Sequence, residues 1–301
     1  MRAVVTGGAG FIGSNLVDVL VSQGHEVTVV DDLSTGQREH LNPDARFVQT
    51  DLVSDPLDEA FDGAEAVFHT AALARVPRSI EDPLGTHAAN VTATLRVLIA
   101  ARDAGAKRVV YSSSSSVYGD QPTLPLTEDM APNPLNPYAC QKYMGEVYAR
   151  NFARVFGLHT VTLRYFNVYG PRQTVHGAYK LVIAIFLEQR RRGEPLTIHG
   201  DGEQTRDFTH VTDVVRANLL AATSPTVPAG EVINVGAGRE LSVNDLARLI
   251  GGPVQHLPAR GFDERFKRAS IAKARALLGW EPRVRFEDGL AELLAMQPPR
   301  P

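Results

Sequence analysis

A single cysteine, Cys140, stands in a chain of 301 residues that also holds one tryptophan and four methionines. One thiol cannot close an internal disulfide, which excludes the cross-linked scaffolds of small secreted domains. The nine histidines fall without an HExxH pair or a Cys/His spacing, so no metal site is expected. No apolar run reaches the ~18 residues of a membrane span, and an apolar strand opens at Ala3 with no charged leader or cleavage site before it. Neither secretion nor membrane insertion is expected, and a reducing cytosol is the expected compartment. Charge of one sign is lacking as well. With 31 Lys+Arg against 34 Asp+Glu the formal net charge is -3, which removes the bulk attraction that nucleic-acid binders use to hold a phosphate backbone. Any phosphate must therefore meet local donors. The one basic run, Arg190-Arg191-Arg192, ends at Gly193, where a helical pattern stops, and reads as cations at the negative end of a helix dipole.

What is present is an ordinary globular composition, 44% hydrophobic and 22% charged, in a chain long enough for one large domain or two intertwined smaller ones. Short β-branched runs at 3–6, 26–31, 46–49, 66–69, 108–112, 160–164 and 232–235 predict seven buried strands. Between most of them lie stretches with helical periodicity, such as Ile12, Leu16, Val19 and Leu20 before a capping Gly24. Alternating strand and helix predicts an α/β fold with a doubly wound parallel sheet. After about Gly170 the alternation gives way to helices, Gly/Pro-rich turns and short strands, which predicts a smaller mixed α/β region. The run at Glu231 to Val235 predicts a return to the first sheet. The expected division is 1–169 with about 206–236 for the sheet domain, and about 170–205 with 237–301 for a substrate-binding part.

Gly7-Gly8-Ala9-Gly10-Phe11-Ile12-Gly13 spaces glycines as GxxGxxG between the first strand and the first helix. There backbone amides and the helix N-terminus can hold a pyrophosphate, so Gly7, Gly10, Phe11, Ile12 and Gly13 are expected at a dinucleotide. Asp31 closes the second strand. A carboxylate at that place accepts from both adenosine ribose hydroxyls and repels a 2′-phosphate, which predicts NAD rather than NADP. Asp51 and Leu52, after the third strand, could border the adenine or be an ordinary loop. Tyr138 and Lys142 lie four apart at the start of a predicted helix, after Pro137, which puts a cation beside a phenol. An ammonium and a positive nicotinamide ring favour the phenolate, so Tyr138 is the expected acid/base. The five serines Ser112 to Ser116 follow a strand of the same sheet and are expected to form an ordered loop that delivers a hydroxyl to the crevice.

Taken with TGGAGFIGS, DDLSTG at Asp31 to Gly36, HTAA at His69 to Ala72, SSSSSVYG, YACQK, RYFNVYGPR from Arg164 and DGEQTRDFTHVTD from Asp201, the chain resembles the extended short-chain dehydrogenase/reductase family over nearly its whole length. It is most similar to the UDP-glucose 4-epimerase branch and its NAD-dependent epimerase/dehydratase relatives. The resemblance implies a catalytic triad of Ser114, Tyr138 and Lys142. It places Asp32, Ser34, Thr35, Gly36, Ala71, Ala72 and a supporting Asn90 at the cofactor. It places Asn167 and Arg206 at the substrate diphosphate, with Arg260 and Asp263 at the nucleotide phosphate and ribose. It implies inversion at C4 of a UDP-hexose through a 4-keto sugar, and a homodimer built on the segments from about Asn90 to Ala104 and Tyr138 to Phe156. Related dehydratases and decarboxylases share the first oxidation but resemble one another in carrying acidic residues after the catalytic hydroxyl, where this chain has Ser115 and Ser116. A departure from the epimerase pattern comes after Asp263, at Phe266-Lys267-Arg268. Lys267 is expected to turn outward, although turned inward it would favour a uronic acid. Cys140 reads as inert packing.

Overall fold

The computed structural model describes residues 1–173, 181–259 and 264–296. The first half runs β1 (Arg2–Thr6), α1 (Phe11–Ser22), β2 (Glu26–Asp31), β3 (Arg46–Gln49), a single-turn α2 (Asp58–Phe61) and β4 (Ala66–His69). It continues with α3 (Val76–Glu81), α4 (Pro83–His87), a π-turn at Ala88–Thr92, α5 (Ala93–Asp103), β5 (Arg108–Ser114), α6 (Pro137–Phe156) and β6 (Thr160–Tyr165). The second half holds β7 (Val168–Tyr169), α7 (Val182–Arg192), β8 (Leu196–His199), β9 (Thr205–Arg206), β10 (Thr209–His210), α8 (Val211–Thr223) and β11 (Glu231–Val235). It closes with β12 (Leu241–Ser242), α9 (Val243–Ile250), β13 (Val254–Leu257), α10 (Ala272–Leu278) and α11 (Phe286–Met296).

Seven strands form one sheet in the order β11-β6-β5-β4-β1-β2-β3, and every pairing in it is parallel. Successive side chains of a strand point to opposite faces, so the continuous apolar runs are read out on both sides. Val5, Val29, Phe68, Val110 and Ile233 pack with α1, α8 and α10 on one face. Val4, Val30, Val67 and Val109 pack under α2, α5 and Phe152 of α6 on the other. The strand order reverses between β1 and β4. In open parallel sheets ligands bind outside the carboxyl ends of the strands at such a point.

The expected return of 231–235 to the sheet is found, with β11 in register against β6. β5 extends two residues beyond its expected end, to Ser114. The later part builds small pairings, β8 with β13 and β9 with β12, and its own core around Tyr169, Phe186, Phe208, Leu246 and Phe286. The basic run ends α7 as expected, with Gly193 in the left-handed region at φ +70°. Arg191 and Arg192 also close on Glu188. Among the described residues no helix is long and apolar enough to cross a membrane, and no cluster of three metal-ligating side chains occurs.

Candidate active site

The turn after β1 shows why its residues are glycines. Gly7 lies at φ +71°, and a Cβ there would stand 2.6 Å from the backbone nitrogen of Ala71. A Cβ on Gly13 would collide with the carbonyl oxygen of Gly7. Gly10 caps α1 with no side chain, and the first turn holds no acidic residue, so the cap itself leaves the first-turn amides open. This cradle, of which a Cβ would close the floor, fits a dinucleotide pyrophosphate. Ala71 forms its wall, with Ala72 beside it.

Asp31 ends β2 in the same crevice. It accepts from Ala9 N at 3.0 Å and Leu33 N at 2.8 Å, and Gly36 leaves room for its Oδ1. Burial pushes this carboxyl up, while the two backbone amides pull it down. Asp32 accepts from the amide and hydroxyl of Ser34, fixing the turn that also holds Thr35. Asp51 binds Val53 N and the Ser54 hydroxyl, both within its own loop, and buried Leu52 gives its carbonyl to Arg96. Asn90 sits in the π-turn. Its Oδ1 accepts from Leu73 N at 2.8 Å and its Nδ2 donates to Gln141 on α6 at 2.8 Å, so it ties the loop after β4 to the helix that carries Tyr138.

The start of α6 is set by Asn136, whose side chain accepts from Ala139 N, and by Pro137 in the first turn. Tyr138 donates its amide to Ser79 Oγ at 3.0 Å. Its phenol is buried beside Ser114. Burial pushes the phenol above its ordinary value, and the Ser114 hydroxyl and the Arg75 guanidinium act in the opposite direction. The cation that faces the phenol from this face is thus Arg75, after β4, which sequence reasoning missed. Its only signal there is a lone arginine after the HTAA segment. Lys142 departs from the expected pairing: its Nζ donates to Ser112 O at 2.8 Å and lies 5.2 Å from the centre of the Tyr111 ring. Burial pulls this ammonium down to about 8. Buried His69, hydrogen-bonded by Thr6 and Thr94, is held down to about 3 by burial and Lys142, so it stays neutral.

The five serines form the expected ordered segment, each with its own partner. Ser112 meets Tyr165, Ser113 meets Glu146, Ser114 meets Tyr138, Ser115 meets Lys267, and Ser116 donates its amide to Ser114 Oγ. Behind them Glu146 takes a bidentate contact from Arg164 at 2.9 and 2.7 Å, both side chains buried, and Arg164 lies 4.6 Å from the centre of the Tyr118 ring.

Of the expected substrate residues, Asn167 comes after β6 and leaves Oδ1 buried with no hydrogen-bond partner among the described residues, an acceptor available to a ligand. Arg206 on β9 donates to Thr205 O and Glu264 O. Its neighbour Asp207 is wholly buried and accepts from Ala237, Gly238 and Ala269 amides, which rules out a surface pair. Arg260 and Asp263 lie outside the described residues. Lys267 corrects its expectation. It is 3% exposed and turned inward, its Nζ 2.6 Å from Glu264 Oε2 and 3.4 Å from Ser115 Oγ.

Residues 3–236 match the model of the NAD dependent epimerase/dehydratase family. A UDP-glucose 4-epimerase of Mycolicibacterium smegmatis is 42% identical over 97% of each chain. Among solved structures, UDP-glucose 4-epimerase of Thermotoga maritima with UDP-glucose is 40% identical, covers 98% of each chain and has a TM-score of 0.92. UDP-glucuronic acid 4-epimerase of Bacillus cereus, with UDP-glucuronic acid and NAD, is 32% identical, covers 97% of each chain and has a TM-score of 0.90.

Proposed function

The chain belongs to the NAD dependent epimerase/dehydratase family, and from that premise we propose that it inverts C4 of a UDP-hexose, interconverting UDP-glucose and UDP-galactose through a transient 4-keto sugar. The carrying observation is Tyr138, whose phenol is buried beside Ser114 at the carboxyl end of β5. NAD, when bound, would supply a hydride acceptor and donor for C4 of the sugar. The Tyr138 phenolate takes the proton of the 4-hydroxyl, and the Ser114 hydroxyl holds the same oxygen as it becomes a carbonyl. Gly7, Gly10, Phe11, Ile12, Gly13, Asp31, Asp32, Ser34, Thr35, Gly36, Asp51, Leu52, Ala71, Ala72, Asn90 and Lys142 are assigned to the cofactor. Asn167 and Arg206 are assigned to the substrate diphosphate, and Arg260 and Asp263 to the nucleotide phosphate and ribose. In this reading 170–205 and 237–301 form the sugar-nucleotide side. Ser115 and Ser116, in place of acids, leave elimination of a 6-hydroxyl without a proton carrier.

NMR of UDP-glucose and UDP-galactose, each incubated with the protein and NAD, should show the C4 epimer of either one. A UDP-pentose with CO2, or a keto-deoxy sugar, would reassign the chain to a lyase. We also propose a homodimer. α5 exposes Ile99, and α6 exposes Met144, Val147 and Tyr148 at helical spacing, an apolar stripe that a second copy would cover. Light scattering at micromolar concentration should give twice the chain mass, and Met144→Glu with Val147→Glu should halve it. A wild-type monomer would overturn this.

A further inference from the structure

The inward turn of Lys267 places a charged pair one residue from the catalytic hydroxyl. Ser114 reaches Tyr138, and the next side chain, Ser115, reaches the Lys267 ammonium at 3.4 Å. The segment that carries Lys267 is fixed on several sides. Its own amide donates to Thr205 Oγ1, Ala269 N donates to Asp207, and Leu126 N and Ser270 N bond across the bridge between Leu126 and Ala269. The ammonium is therefore held in place from behind.

Its ion-pair partner is Glu264, and Arg206 and Asp120 also act on it, with opposite signs. Glu264 Oε2 sits 2.6 Å from Lys267 Nζ, and the two side chains are 12% and 3% exposed. The other carboxylate oxygen, Glu264 Oε1, is buried with no hydrogen-bond partner among the described residues. The pair thus presents a buried acceptor that lacks a donor, beside an ammonium that gives one N–H to Glu264 and one to Ser115 and has a third to give. A hydroxyl completes this arrangement, because it donates to Glu264 and accepts from Lys267 at once. A carboxylate cannot: it brings no proton for Glu264 Oε1 and sets a like charge beside it in a site shielded from water.

We infer that the Lys267–Glu264 pair, with Ser115, is a specificity element that recognises a neutral hydroxyl next to C4 of the sugar and rejects a hexuronate. Of the ring carbons beside C4, C5 carries the group that differs in charge, a hydroxymethyl in a hexose and a carboxylate in a hexuronate. The lysine that would favour a uronic acid on its own therefore selects against one in the company of Glu264. This inference rests on the C4-epimerase reading for the placement of the sugar.

The test is the ratio of kcat/KM for UDP-glucose over UDP-glucuronate, paired with calorimetric titration of each nucleotide sugar into the NAD-loaded protein. The wild type should favour UDP-glucose by about a hundredfold in both readouts, the scale of a like charge set against a buried one. Glu264→Gln should move the ratio toward UDP-glucuronate by a similar factor. Lys267→Met with Glu264→Gln, which removes both charges together, should abolish most of the discrimination and serves if the single variant fails to fold. A wild type that takes UDP-glucuronate as well as UDP-glucose, or a ratio untouched by Glu264→Gln, would overturn the inference. Absence of turnover with every UDP-hexose would fall on the epimerase reading instead, and the calorimetric ratio would then still decide between the two sugars.

Discussion

Tyr138→Phe should lower the rate of C4 inversion by roughly 10²- to 10⁴-fold, the span over which a positioned acid/base acts. The variant loses one oxygen and keeps the ring, so the packing of α6 against the β5 end is preserved. The hydrogen bonds from Tyr138 N to Ser79 Oγ and from Ala139 N to the Asn136 side chain do not involve the phenol and are untouched. NAD content per chain should therefore stay at the wild-type level. If the phenol acts only in the transition state, kcat and kcat/KM should fall together while KM moves little. Ser114→Ala should cost less, because it removes a hydrogen bond to the reacting oxygen and leaves the proton acceptor in place. Turnover of the Phe variant at the wild-type rate would remove Tyr138 from the chemistry. Loss of NAD along with activity would mean that the phenol holds the cofactor and not the proton.

The second large effect is on stability. Glu146→Leu should destabilise the protein by about 3–5 kcal/mol, because Arg164 would be left as an uncompensated charge. The two side chains are 0% and 2% exposed, so water cannot replace the lost carboxylate. Ser113 loses its acceptor in the same step. Urea denaturation should show a lower midpoint at unchanged slope. Combining Glu146→Leu with Arg164→Met removes both charges and should recover much of the loss, since an ion pair replaced by apolar side chains of similar volume is often near neutral. A Leu variant as stable as the wild type would mean that Arg164 finds another acceptor. The consequence for catalysis is indirect. Ser113 lies between Ser112, whose carbonyl holds Lys142, and Ser114, so the pair anchors the strand end from which both catalytic groups are set.

Most of the sheet is legible from local chemistry. β-branched runs on a strand buried on both faces leave little choice of state, and a GxxGxxG turn between a strand and a periodic helix leaves little choice of ligand. The end of β5 is not legible in the same way. Serine has weak strand preference, and Ser113 and Ser114 stay in the strand by pairing with Arg164 and Tyr165 of β6, with Glu146 of α6 on Ser113, partners that no local pattern reveals. Directions of long cationic side chains are the least legible. The Tyr138-to-Lys142 spacing predicts a shared helix face, but whether the ammonium reaches the phenol or a carbonyl depends on where Ser112 of another element stands. Arg75 and Lys267 pose the same problem. Each points inward because tertiary structure provides a phenol or a carboxylate there, from residues far away in sequence or outside any recognisable motif.

The edge of the sheet has a bearing on how the chain is made. β6 acquires its second neighbour only when β11 arrives, after β7 to β10 and two helices have intervened. During synthesis, a ribosome that has released β6 has exposed a row of unpaired backbone donors and acceptors whose proper cover is not yet translated. Pairings of such long sequence separation are slow to close, and an open apolar strand edge invites association with other chains in the interval. Truncation anywhere between Tyr165 and Glu231 makes that interval permanent, so expression of the dinucleotide half alone should yield inclusion bodies unless Glu231 to Val235 is supplied.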